Sequence, residues 1–514
     1  DDDDDDDGIF EPIGAGIRRD FGRRLPLYKS DIVDGLNSQV VATTLFLFFA
    51  CLAPAIGFGG ILDVATSGAM GTIEMVGSTA ACGVAYSLLS AQPMQLVGPM
   101  GPVLAFTVSV AKLAEVWNLP FLPLYGWVGL WMSGMLFVAA LTSASNAVRK
   151  LTGFTDEIFS GLISTIFLFE AFAKIGGAFA DPAVPSTRAL LALLCASFTF
   201  GTAIALKGLN ASVYFTKAIR KNLSNFAPAI GVLCGSFMAR AAKLRYGPDV
   251  ASLPALSVPA TFVTTSGRPW LIPLGDLPTW ARWGAALPAL LGAVLLFLDQ
   301  NITARLVNNP RNKMIKGRDE GNVIDGMHGD MLVLSLLTGL ASLVGLPWMA
   351  GATTRSAAHV RSLLRTDGGG TGDVVGSVEN RVSGAAIHAL IGACILFPGP
   401  RELLTQVPLP VLSGVFLYLG LTSLQGLELW DRVRGLFQDA TVAPQARWSG
   451  LPRRITSLFT TVQMFCIAGM MAVTKSSFGV VSPLLIALLP ALRIFLVKAG
   501  IIDKDSMEVL DAEG

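Results

Sequence analysis

Charge is what this chain has least of. Only 15% of its 514 residues are Asp, Glu, Lys or Arg, against about 25% in soluble domains. That argues against an ordinary soluble enzyme, a disordered chain and a nucleic-acid binder alike. Cysteine is sparse as well. Cys51, Cys82, Cys195, Cys234, Cys394 and Cys466 each sit in an apolar stretch, with no CxxC pair and no close histidine. They read as small hydrophobes, not as a disulfide frame or a metal site. The three histidines, His328, His359 and His388, lack metal-ligand spacing and read as satisfied loop or helix residues. The Gly368-Gly369-Gly370 run lacks the Lys-Ser/Thr of a phosphate loop and reads as a flexible connection. No cofactor is expected, and any work the chain does must draw on gradients. There is no Met at position 1 and no apolar signal core after the acidic start, so a cleaved secretory peptide is not expected. Seven Asp residues open the chain; setting them aside turns the formal net charge of +1 into +8. Such a tract buries nothing, so residues 1–15 are expected to be an acidic disordered tail.

What the chain has in abundance is apolar length. Hydrophobic residues make up 52% of it and the mean hydropathy is +0.58. Its 54 Gly and 28 Pro suit helices in lipid, where small residues allow close packing and neighbours absorb Pro breaks. A span needs about 20 apolar residues. Windows fall at 38–60, 69–90, 94–111, 122–146, 157–178, 187–207, 225–242, 282–304, 330–346, 350–364, 384–399, 408–424, 455–474 and 478–497, the third and tenth being short. With this assignment Lys and Arg favour alternate connections by about three to one. That supports an even number of spans, with both termini cytoplasmic. The Asn210-Ala211-Ser212 and Asn222-Leu223-Ser224 acceptors then face the cytoplasm and are expected to be unmodified.

The longest connection, 243–281, follows the seventh span. It separates a first repeat (16–242) from a second (282–498) that must enter the membrane inverted, with 499–514 as a cytoplasmic tail. The expected fold is therefore an all-α membrane protein of fourteen spans in a 7+7 inverted repeat. Such repeats hold substrates at mid-membrane on broken helices. Two matching interruptions are present, Gln92-Pro93-Met94-Gln95-Leu96-Val97-Gly98-Pro99-Met100-Gly101-Pro102 and Gly345-Leu346-Pro347-Trp348-Met349-Ala350-Gly351-Ala352-Thr353-Thr354-Arg355-Ser356. Pro disfavours helix in the residue before it, so helix is expected only from about Gly101. Two half-helix N-termini sharing one space make an anion site; the plainer reading is Pro-kinked packing helices. A charge inside a span costs at least about 2.5–3.5 kcal/mol. Asp299 and Arg355 therefore point to a shared polar cavity, or else to a buried ion pair that fixes packing. Glu170 and Lys174 are spaced to pair across one helical turn. Lys174 and Lys475 stand toward the outer ends of their spans, where either could snorkel or line a substrate path.

These residues carry a family resemblance. Tyr28-Lys29-Ser30-Asp31, Asp34-Gly35-Leu36, Phe48-Phe49-Ala50 through Phe58-Gly59-Gly60, and Gln92-Pro93 come first. Asp299-Gln300-Asn301-Ile302-Thr303, Lys313-Met314-Ile315-Lys316-Gly317, Gly345-Leu346-Pro347-Trp348 and Pro408-Leu409-Pro410-Val411-Leu412 through Gly420 follow. From about residue 16 onward the chain resembles the bicarbonate transporters of solute carrier family four: anion exchangers, sodium–bicarbonate cotransporters and borate transporters. The resemblance implies core and gate domains, a homodimer through the gate, and an anion site between the third and tenth spans. It implies that Arg355 attracts the anion, as in exchangers. It also implies that Asp299, with Thr303, matches the cation site of sodium-coupled members, making sodium the one candidate coupling ion. Thr107 departs from the Glu that family members tend to have after the residue matching Phe106. The expectation is chloride/bicarbonate exchange by alternating access, with Arg355, Thr353, Gly101 and Pro102 on the anion and Asp299, beside Thr303 in the same binding site, balancing Arg355 or binding a coupling ion. Sodium-coupled bicarbonate cotransport is the alternative, and borate transport or a non-transporting scaffold are lesser ones. Plasma membrane is the family-level location.

Overall fold

The computed structural model describes residues 11–150, 152–209, 212–216, 219–220, 223–224, 226–255, 262–317, 325–366, 374–425, 427–438, 447–476 and 482–511. Residues 1–10, Asn210, Asn222 and Gly368–Gly370 lie outside these. The main elements, in order, are α1 (Ala15–Arg24), α2 (Ser38–Ala65), α3 (Thr72–Leu89), β1 (Val97–Gly98), α4 (Gly101–Val116), α5 (Phe121–Leu141), α6 (Gly153–Ala180), α7 (Ser186–Gly208), α8 (Ala227–Tyr246), α9 (Ala286–Val307), α10 (Met327–Val344), β2 (Ala350–Gly351) and α11 (Thr353–Ser362). Then come β3 (Leu364–Thr366), β4 (Val374–Ser377), α12 (Val382–Leu396), α13 (Leu409–Leu424), α14 (Glu428–Leu436), α15 (Arg453–Lys475), α16 (Ser482–Lys498) and α17 (Lys504–Asp511).

Among the described residues eight helices are long and apolar enough to cross a membrane, or nine if α13 and α14, bent by 83°, count as one broken span. The chain is a multi-pass, all-α membrane protein. It divides into two compact units that interleave along the sequence. Unit 1 comprises Asp1–Val148, Ala205–Ile230 and Pro254–Leu409; unit 2 comprises Arg149–Ile204, Gly231–Leu253 and Pro410–Gly514.

Helix ends in unit 1 are set by specific acceptors, because the first-turn amides have no partner inside the helix. The Asn37 side chain accepts from Val40 N at 3.0 Å to start α2. Glu74 reaches back to Gly71 N at 2.8 Å to start α3, and its other oxygen accepts from Thr265 N at 2.7 Å. Asp20, on α1, accepts from His328 N at 2.9 Å and Gly329 N at 3.0 Å and so caps α10. That helix ends at Gly345, whose φ of 65° is the left-handed stop that glycine adopts without strain.

Close packing of α5 on α10 depends on Gly129, where a methyl group would lie 1.8 Å from Ser342 Oγ. The Ser133 hydroxyl donates across the same contact to Ser335 O at 2.7 Å. Trp348 then fills the end of this interface. Its ring stacks on Tyr125 with centroids 3.9 Å apart, and its Nε1 donates to Ser342 Oγ at 2.8 Å.

A buried charge cluster anchors the segment before α2. Arg24 forms a two-pronged bond to Asp31, at 3.0 and 2.8 Å, and reaches Glu379 at 3.1 Å. Arg381 Nε and Lys316 Nζ add to Asp31 at 3.2 and 3.3 Å. Two of the sequence motifs that carry the family resemblance, through Asp31 and Lys316, thus join one network.

Candidate functional site

The two Pro-interrupted segments meet. β1 and β2 pair antiparallel, Val97 with Gly351 and Gly98 with Ala350. Ala352 N donates to Leu96 O at 2.8 Å, and Leu96 N donates to Ser356 Oγ at 2.9 Å. After each strand the chain turns directly into helix, at Gly101 in α4 and at Thr353 in α11. Because the strands are antiparallel, the two helices leave the crossing in opposite directions, and their N-terminal turns stay beside it. Each presents first-turn amides and the positive end of a helix dipole. Pro102 stands in the first turn of α4, where its missing N–H removes no helical bond.

Arg355 lies in the first turn of α11 and is 3% exposed. Its Nη2 donates to Pro99 O at 2.5 Å and faces Met100 Sδ at 3.7 Å. Its Nη1 has no hydrogen-bond acceptor among the described residues. Gly98 makes room for it, since a methyl group there would lie 2.9 Å from Nη1. Asp299, on α9, is fully buried, and neither of its carboxylate oxygens has a partner among the described residues. Asp299 and Arg355 therefore form no ion pair, and the fixed-pair reading of these two charges falls away. One turn after Asp299, the Thr303 hydroxyl lies 2.8 Å from Thr353 Oγ1 and 3.1 Å from Gly351 O. That joins α9 to the crossing. Thr107 is buried on α4 and donates back to Val103 O at 3.0 Å.

Sequence reading passed over a polar chain behind the crossing. Gln300 Nε2 donates to Tyr86 Oη at 2.7 Å, the Tyr86 hydroxyl donates to Gln95 Oε1 at 3.2 Å, and Gln95 Nε2 donates to Gln300 O at 3.1 Å. The available signal was two uncharged polar residues, Gln95 and Gln300, each inside an apolar window. The expectation for His359 holds. Its ring nitrogens lie 2.7 Å from Met94 O and 2.6 Å from Ser383 Oγ.

Lys174 and Lys475 belong to unit 2, whereas the residues of the crossing belong to unit 1. The expected Glu170–Lys174 pair does not form. Glu170 instead accepts from Lys475 at 2.5 Å, and Lys174 sits over the Phe416 ring, 5.1 Å from its centroid. Helical spacing brought the first pair within reach, but an ammonium on the neighbouring α15 had the shorter path to the carboxylate.

The chain matches the family profile described as the HCO3- transporter integral membrane domain over residues 11–188 and 176–514. It is 34% identical to the band 3 anion transport protein of Mus musculus over 510 residues, covering 94% of this chain and 53% of that protein. It is 35% identical to anion exchange protein 3 of Mus musculus over 546 residues, covering 98% and 43%. The chain thus spans about half the length of the curated relatives it matches. Among solved structures, SLC26A9 superposes with a TM-score of 0.57 at 13% identity, over 93% of this chain and 68% of that one. The transmembrane domain of a cyanobacterium bicarbonate transporter, BicA, gives 0.50 at 15% identity, over 83% and 96%. These likenesses bear on the fold, which is one shared with such membrane domains. The match over nearly the whole length, together with the identity to band 3, places this chain in the HCO3- transporter family, a family of transporters and not of enzymes.

Proposed function

We propose that the protein exchanges chloride for bicarbonate, or a related small inorganic anion, by alternating access. The observation that carries this is Arg355, a buried guanidinium with one Nη uncommitted among the described residues and no carboxylate to neutralise it. It stands on the N-terminal turn of α11 beside that of α4. A guanidinium is always charged, and helix N-termini add positive potential. The crossing thus favours an anion, held by Arg355, Thr353 and the first-turn amides at Gly101 and beyond, with Pro102 shaping that turn. Lys174 and Lys475 are candidate residues along the substrate path.

The fourteen-span, 7+7 inverted arrangement belongs to the same proposal. Each half of the chain opens in unit 1 and ends in unit 2, the first half returning to unit 1 once at Ala205–Ile230, and an inverted repeat split into core and gate divides both halves in this way. Unit 1 is then the core and unit 2 the gate, through which a homodimer forms. The plasma membrane, with both termini cytoplasmic, is the proposed setting.

A second reading has its own observation. Asp299 is buried with both oxygens unpartnered among the described residues, one turn from the Thr303 hydroxyl. A carboxylate and a hydroxyl so placed suit sodium, which would make the transport sodium-coupled.

The test is bicarbonate-driven pH change in proteoliposomes, with sodium and chloride varied independently. Exchange predicts flux that needs opposing chloride and ignores sodium. It also predicts that Arg355→Ala lowers flux by a factor of about 30 or more, the effect of removing a buried charged partner worth 2 kcal/mol or more. Undiminished chloride-dependent flux in Arg355→Ala would sink the exchange mechanism. An absolute need for sodium would replace it with cotransport through Asp299 and Thr303.

A further inference from the structure

His388 is buried on α12 beside the crossing, and the function proposed above leaves it unused. Its ring fits over Gly83 of α3, where a methyl group would lie 2.0 Å from Cδ2. Nδ1 is 2.7 Å from Gly384 O, one turn back on its own helix, and Nε2 is 3.1 Å from Val97 O on β1. Both partners are carbonyl oxygens, which only accept. A neutral imidazole has a single N–H and can satisfy one of them, leaving a lone pair facing the other; an imidazolium donates to both. His359 differs, because a hydroxyl, Ser383 Oγ, stands opposite its Nε2 and can donate.

The groups that face His388 are Arg355 and His359, both on α11. Several titratable side chains on the other helices packed around it are engaged elsewhere. On α3, Glu74 holds Gly71 and Thr265, Cys82 lies against Ser78, and Tyr86 bonds Gln95. On α2, Cys51 lies against Arg355. On α12 itself, Cys394 donates to Leu390 O, and Arg381, just before it, bonds Asp31. An imidazolium at 388 therefore meets first the cost of burial and then repulsion from Arg355, with no carboxylate facing it among the described residues. An anion drawn to Arg355 would offset that repulsion.

We propose that His388 is a proton-binding site linked to the anion site, taking a proton from solution onto Nε2 when an anion binds beside Arg355 and releasing it when the anion leaves. The transporter then moves its anion with a linked proton, and β1 is held to α12 by the Nε2–H···O bond only while the site is loaded. This rests on the anion-site reading, and by linkage the coupling must work in both directions.

The test uses the purified full chain with chloride as the probe. Chloride is added in weak buffer between about pH 6 and 8, the range in which a histidine changes charge. Proton uptake is read with a pH dye and chloride affinity by titration. Wild type should take up protons on binding, and its affinity should rise by up to about tenfold per pH unit of acidification, the limit for one linked proton. In His388→Gln, whose amide can donate to both carbonyls without titrating, uptake should fall at least about fivefold and affinity should lose its pH dependence. Because the variant could misfold, 15N-histidine spectra of the wild type give a second reading. With only three histidines in the chain, one imidazolium should appear on adding chloride. Chloride binding with no proton uptake and no new imidazolium overturns the proposal, as does full uptake in His388→Gln. Wild type that binds no chloride at any pH refutes the anion-site reading itself, and this proposal with it.

Discussion

Asp20 shows how one residue can hold a helix end and make stability depend on pH. It is buried, and burial pushes its carboxyl from 3.8 up to about 6, against the opposing pull of the backbone bonds through which it caps α10. The folded protein therefore holds this proton more tightly than the unfolded chain does. The favourable contribution is complete below the unfolded value and is lost as pH rises through about 6. Relative to Asp20→Asn, wild type should gain about 1.4 kcal/mol for each pH unit of acidification between about 6 and 4. Thermal unfolding of both proteins at several pH values measures this, and parallel curves would refute it. Residue-level features of this kind were the least legible in the sequence. Asp20 looked like one more charge before the first span, since its partners lie about three hundred positions away. The same holds for the bonds of Arg24 to Glu379 and of Arg381 to Asp31, because no period or motif announces pairing at such separation.

At the scale of elements the sequence was far more readable, because helix breaks follow from local sterics. Pro93, Pro99, Pro102 and Pro347 forbid continuous helix, and the chain duly crosses in extended form before α4 and α11 begin. What local rules cannot supply is the register in which two such segments pair, and that register depends on Gly351. A methyl group there would lie 2.5 Å from Gln95 Nε2, 2.9 Å from Thr303 Cβ and 3.0 Å from Asp299 O. Two of these neighbours are backbone or a β-branched carbon with little freedom to move. Gly351→Ala should cost about 1–3 kcal/mol through overpacking and should separate Thr303 from Thr353. Flux should fall severalfold or more even where the variant reaches the membrane in normal amounts; flux and stability equal to wild type would show that the crossing is looser than this packing implies. The mispaired Glu170 teaches the complementary lesson. Spacing of i and i+4 defines which groups can meet, and neighbouring helices decide which do.

For the molecule as a whole, the division into two units has consequences that a span count does not reveal. Unit 2 is closed by its own long-range contacts. Asp511, on the last helix, accepts from Phe154 N at the start of α6 and from Arg493 on α16. Glu157 gathers Leu429 N, Arg432 and Gln463 from α14 and α15. Asp511→Ala removes a helix cap and leaves Arg493 without its carboxylate, a loss of about 1–3 kcal/mol. If the two units are separately cohesive, as transport by a core and a gate requires, this loss stays local. Hydrogen exchange on the full chain should then show faster exchange at the N-terminal turn of α6 and along α16, with the amides of α3, α5 and α10 unchanged. Equal acceleration in both units would mean that they unfold as one body. In that case relative motion between them would have to overcome the full cooperativity of the fold, and alternating access would have to be sought within unit 1, around the β1–β2 crossing itself.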